Sequence, residues 1–113
     1  MARSVRYDWQ FRADLAERVR WLQRNRPPEQ RKNLARAIAS FKKRVAAFPG
    51  MGHEVALRGT VSYRARPLAE SLPYLVWYSY DTARPDGSIS LLMLLYESQD
   101  RERFDASRSE EEQ

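Results

Sequence analysis

Hydrophobic positions along this chain change period three times. Val5-Arg6-Tyr7-Asp8-Trp9 alternates apolar and polar side chains with strand-favouring residues, which predicts a short half-buried strand. Phe11, Leu15, Val19 and Leu22 then recur at helical spacing, with Arg12, Asp14, Glu17, Arg18 and Arg24 on the other sides. Asn25-Arg26-Pro27-Pro28 ends this helix, because the residue before a proline avoids helical geometry and proline lacks the N–H of the next turn. Leu34, Ile38, Phe41, Val45 and Phe48 define a second amphipathic helix whose other face holds Arg31, Lys32, Arg36, Lys42, Lys43 and Arg44. So short a connection predicts an antiparallel helical hairpin.

Pro49-Gly50-Met51-Gly52 stops the second helix, and a loop is expected through Gly59. Three strands follow, over Val61–Leu68, Pro73–Asp81 and Ile89–Tyr96, the last two joined across the Pro85-Asp86-Gly87 turn signal. In the last strand Leu91, Met93 and Leu95 would share one face and Leu92, Leu94 and Tyr96 the other, so it reads as central and covered on both sides. Asp100–Ala106 suits a short terminal helix. The order β-α-α-β-β-β predicts an α+β fold in which an N-terminal strand and a helical hairpin precede a three-stranded antiparallel meander. The helices would pack on one sheet face through Leu15, Val19, Leu34, Ile38 and Phe41, with the first strand at an edge and the other face partly open. Residues 1–106 form one domain in this reading, and 107–113 a flexible acidic tail.

Composition narrows the chemistry. A chain of 113 residues is long enough for one core without staples. With no Cys and one His, disulfides, thiolate metal sites, cysteine nucleophiles and multi-histidine metal sites are excluded. No segment approaches the roughly 20 apolar residues of a membrane span, and the start of the chain lacks a signal-peptide core, so no membrane association and a cytoplasmic location are expected. The net charge of +5 is unevenly spread. Thirteen Lys or Arg face four acids through Pro49, against seven and eleven beyond it, so the basic field belongs to the helical half.

Candidate functional residues lie later in the chain. Tyr63-Arg64-Ala65-Arg66 places both arginines on one side of a strand, and guanidinium groups present a rigid fork of donors to phosphate oxygens. Arg101 and Arg103, after the last strand, could join them in contacting nucleic acid. Tyr74, Trp77, Tyr78, Tyr80 and Tyr96 interleave with these charges; Trp77 and Tyr78 are expected in the core, whereas Tyr96 stands where the chain leaves the sheet and could face a groove. His53 falls in the Gly-flanked loop and reads as a solvated side chain. Gly50-Met51-Gly52 lacks the lysine and hydroxyl residue of a phosphate loop, and neither cofactor nor metal is called for.

Several segments together resemble the RelE/ParE superfamily of toxins from type II toxin-antitoxin systems, over Val5 to Phe104. They are Phe11-Arg12-Ala13-Asp14-Leu15 after an opening strand, the hairpin ending in Phe48-Pro49-Gly50-Met51-Gly52, the strand Leu72-Pro73-Tyr74-Leu75-Val76-Trp77-Tyr78, and the exit Leu95-Tyr96-Glu97-Ser98-Gln99-Asp100. The resemblance implies an antitoxin partner and one of two targets. In the RelE-like branch the toxin cleaves messenger RNA, usually on the ribosome, which would make this chain a metal-independent endoribonuclease with Arg64, Arg66, Tyr96 and Arg101 as its catalytic set. In the ParE-like branch it inhibits DNA gyrase. Arg64 and Arg66 are similar to two functional lysines of RelE, and Arg101 to a phosphate-stabilising arginine. Leu75 stands where the middle strand of RelE has an arginine, and Ser107 falls near its terminal tyrosine. The exit from Tyr96 to Asp100 looks more like the ParE-like branch. An inactive nucleic-acid-binding relative is the third reading.

Overall fold

In the computed structural model, which describes residues 3–96, the elements are β1 (Val5–Tyr7), α1 (Trp9–Asn25), α2 (Pro28–Ala47), a 3-10 turn (Pro49–Met51), β2 (His53–Arg58), β3 (Val61–Ala69), β4 (Leu72–Asp81) and β5 (Ile89–Tyr96). The helix expected over Asp100–Ala106 and the tail 107–113 lie outside the described residues.

The two helices follow from the two apolar stripes. Arg26, forced out of helical geometry by the following proline, leaves α1 in an extended conformation, and Pro28 opens α2 at a position where a missing N–H loses nothing. Phe11 and Leu22 of α1 and Leu34, Ile38, Phe41 and Val45 of α2 are buried, and each is worth about 1.5–3 kcal/mol of transfer free energy. Leu15 and Val19 are half-buried and pack against this core. A polar tie accompanies the apolar one: Asp14 Oδ2 accepts the Leu94 N–H at 3.1 Å and its Oδ1 accepts from Gln10 Nε2 at 2.8 Å, fixing α1 to β5.

The sheet has five strands in the order β1-β5-β4-β3-β2. The β3-β4-β5 meander is antiparallel as expected, and β1 joins the β5 edge, running parallel to it. The segment expected to be a loop through Gly59 is instead β2, antiparallel to β3 and reached by a tight turn at Gly59, whose φ of 60° suits a residue without a Cβ. All six β2 residues are exposed, so their hydrophobicity carried no alternation from which a strand could be read. His53 accordingly begins an edge strand, opposite Ala65.

A bulge corrects the expected facing of β5. Trp77 pairs with Met93 and Tyr78 with Leu91, which leaves Leu92 unmatched and reverses the alternation beyond it. Ile89, Leu91 and Leu94 therefore join the core under the helices, alongside Tyr74, Val76 and Tyr78 of β4. Leu75, Trp77, Met93 and Leu95 fall on the opposite sheet face by the same register. Trp77, expected in the core, is half-buried on that face, whereas Tyr78 is fully buried.

Candidate functional site

Strand register decides which side each candidate faces. Arg64 lies opposite Tyr78 and Arg66 opposite Val76, so both arginines share the face covered by the helices. They are half-buried against the turn that follows α2. Arg64 Nη1 donates to Gly52 O at 2.6 Å and Gly50 O at 3.1 Å, and its Nε donates to Ser62 Oγ at 3.0 Å, which in turn donates to Glu54 Oε1. Arg66 Nη1 donates to Met51 O at 2.8 Å. These bonds take up carbonyls in the Pro49–Gly52 turn. Arg3 and Arg64 also lie over the Tyr80 ring, at 5.0 and 5.9 Å from its centroid.

Tyr78 completes this clamp. Its O–H donates to Pro49 O at 2.6 Å while its oxygen accepts the Gly52 N–H at 2.9 Å. Burial raises its pKa above the ordinary 10.0, against the lowering effects of the Gly52 hydrogen bond and of Arg64 and Arg66, so it stays protonated at neutral pH and keeps donating. Gly52 is required at this approach, because a Cβ there would stand 2.7 Å from the Tyr78 oxygen and 3.1 Å from the Ala65 carbonyl.

Tyr96 belongs to a different cluster. Its ring meets Tyr74 edge-on with centroids 5.7 Å apart, and the Arg18 guanidinium lies 4.7 Å from the Tyr96 centroid, 5.2 Å from Trp21 and 5.7 Å from Tyr74. Among the described residues Tyr96 lines a cavity of about 230 Å³ with Asp14, Glu17 and Leu94, and an adjoining groove of about 730 Å³ toward Arg26, Gln30 and Asn33. Burial also raises the pKa of Tyr74. Tyr96 pairs with Tyr74 while Arg66 pairs with Val76, which sets Tyr96 and Arg66 two strands and two residues apart, roughly 12 Å between their Cα atoms. Buried Val76 and Leu94 occupy the interval. The structure thus brings Arg64 and Arg66 together and keeps Tyr96 apart from them; Arg101 and Arg103 lie outside the described residues. Arg18, expected away from the apolar stripe of α1, instead joins this cluster; its spacing, three residues after Leu15 and four before Leu22, was the signal that it flanks that stripe.

The sheet face that the two helices do not cover is apolar, and on it Leu95 is buried whereas Leu75 and Trp77 are half-buried. Tyr63 and Ala65 of β3 and Leu75 and Trp77 of β4, with Val55, Ala56 and Arg58 of β2, line an open groove of about 510 Å³. Arg58 lies over the Tyr63 ring at 5.8 Å and contributes the only charged side chain among the described residues that line the groove. The indole Nε1 of Trp77 is buried and meets no acceptor among the described residues. Among the described residues no group of three or more His, Cys, Asp or Glu could hold a metal ion, and no helix is long and apolar enough to cross a membrane.

Comparison with known proteins agrees with this architecture. No curated protein matches the chain significantly. A chain of an archaeal RelE–RelB complex from Pyrococcus horikoshii OT3 shares the fold, with a TM-score of 0.60 at 18% identity over 86% of this chain and 97% of that one. A family model described as the ParE toxin of type II toxin-antitoxin systems, parDE, matches residues 5–101. That match spans the opening strand, the hairpin and the whole sheet, and the chain therefore belongs to the ParE toxin family of type II toxin-antitoxin systems.

Proposed function

We propose that this toxin acts by binding a protein target, DNA gyrase, and does not cleave RNA. The observation that carries the reading is the apolar groove on the sheet face opposite the helices, where, among the described residues, Leu75 and Trp77 stand beside Tyr63 and Ala65. Cleavage through a 2′-hydroxyl needs a base, positive charge on the scissile phosphate and an acid converging on one point. Arg64 and Arg66 spend donors on the Pro49–Gly52 turn, on the helix-covered face and away from Tyr96. Their part in this reading is to position the helical hairpin on the sheet. A groove of aromatic and aliphatic side chains rimmed by one arginine suits the apolar core of a protein interface, where aromatic anchors and desolvated contacts carry most of the affinity. The family match supports an antitoxin partner, which would neutralise the toxin by covering the same face.

Induced expression with separate readouts of reporter transcripts and plasmid supercoiling tests the reading. Intact transcripts together with gyrase-linked DNA breaks and filamentous growth are the expected result. Ribosome-dependent transcript cleavage with undisturbed supercoiling would replace it with the ribonuclease reading, and harmless expression with neither response would favour an inactive relative.

A further inference from the structure

The outer surface of the helical hairpin carries charge that neither the fold nor the open sheet face uses. Successive helical residues turn by about 100°, so Lys32, Arg36 and Lys43 fall within about 40° of one another and span about 16 Å along the axis. That stripe lies opposite the buried Leu34, Ile38, Phe41 and Val45 of α2, and its three members are exposed. Ala39, in line with them, is small enough to let a ligand backbone approach. Arg12, Arg20 and Arg24 of α1 are exposed as well. Among the described residues none of these six makes an ion pair or a ring contact, the one ion pair there being Arg84 with Asp81. Asp14 is held by Leu94 and Gln10, and the exposed Glu17 and Glu29 beside these six form no ion pair with them, so the surface keeps a positive balance of six charges to two.

We propose that this surface binds duplex DNA through its phosphates, without reading sequence. Unpaired like charges held on one rigid face raise the local potential, and a polyanion relieves it with release of its counterions. No aromatic side chain interrupts the α2 stripe, so it presents phosphate contacts and no stacking platform, which suits a duplex better than a single strand. The helices cover the sheet face opposite Leu75 and Trp77. Duplex DNA and a protein target would therefore be met from opposite sides of the molecule, and the DNA contact does not depend on which protein the sheet face engages.

Fluorescence anisotropy of a labelled mixed-sequence duplex with the full chain tests this between about 50 and 200 mM salt. Five phosphate contacts, three from the α2 stripe and two from Arg20 and Arg24, which lie within about 40° of each other on α1, predict a slope of about −4.5 for log K against log salt. Lys32→Gln, Arg36→Gln and Lys43→Gln together should bring that slope to less than half and weaken binding at least about tenfold at the lower salt. Glutamine keeps helix propensity near that of lysine and arginine, and an unchanged circular-dichroism melt would verify folding. Arg84→Gln, in the β4–β5 turn, should bind as the parent does. A triple variant with parental slope and affinity would overturn the proposal, as would an equal loss in the Arg84→Gln control or tighter binding of a single-stranded RNA of the same length at every salt. Because DNA alone is the probe, this outcome is independent of any effect on gyrase.

Discussion

Arg64 and Arg66 hold the turn that joins the helical hairpin to the sheet, and Tyr78 completes that hold from the core. Charged donors to neutral carbonyls are stronger than neutral pairs, and removing them strands the carbonyls at a partly buried site. Replacing both arginines by alanine should therefore lower unfolding free energy by about 3 kcal/mol in urea titration. A loss under about 0.5 kcal/mol would mark them as ordinary surface groups, contrary to the bonds described. Their alternation in Tyr63-Arg64-Ala65-Arg66 was enough to put them on one side of a strand. It could not say which side, because a period of two defines parity and only the neighbouring strands define the face. For the same reason the apolar set Tyr63, Ala65, Leu75 and Trp77 became visible as a groove only once β3 and β4 were paired.

At the level of elements, Asp81 ties the β2–β3 turn to the end of β4. It accepts from Thr60 Oγ1 at 2.6 Å and from the Ala83 N–H at 3.0 Å, and these two hydrogen bonds, more than Arg84, lower its pKa below the ordinary 3.8. A carboxylate with a depressed folded pKa contributes stability that is complete above its unfolded value and is lost as pH falls through the folded one. Urea midpoints of the parent and an Asp81→Asn variant should therefore differ above about pH 4 and converge below it. A difference that persists unchanged into strong acid would remove the assignment. Both helices, β3 and β4 were legible because burial imposes a period on their side chains, and β5 because it is a continuous apolar run after a turn signal. The β2 strand was not: its six residues are exposed, and its stability comes from the ladder to β3 and the turn at Gly59. The bulge at Leu92 was equally invisible, since Leu91-Leu92-Met93-Leu94-Leu95 is apolar in either phase.

The whole molecule is a sheet with two unlike sides. One is covered by a basic helical hairpin locked down by the arginine–tyrosine clamp, and the other exposes an apolar groove rimmed by Arg58. This polarity underlies the reading of the chain as a toxin that captures a protein by the sheet face opposite its helices. Leu75 is the most direct probe of it, since its side chain lines that groove, outside the helix-packed core. A glutamate there would oppose an apolar partner surface with an unpaired charge. The decisive measurement is gyrase-dependent cleavage of plasmid DNA by the purified toxin and by its Leu75→Glu variant, with folding of both checked by thermal melting. Cleavage complexes with the parent, and their loss in the folded variant, are the expected result. Equal activity in the two proteins, or transcript cleavage in a translating extract by a parent protein that leaves gyrase untouched, would contradict it.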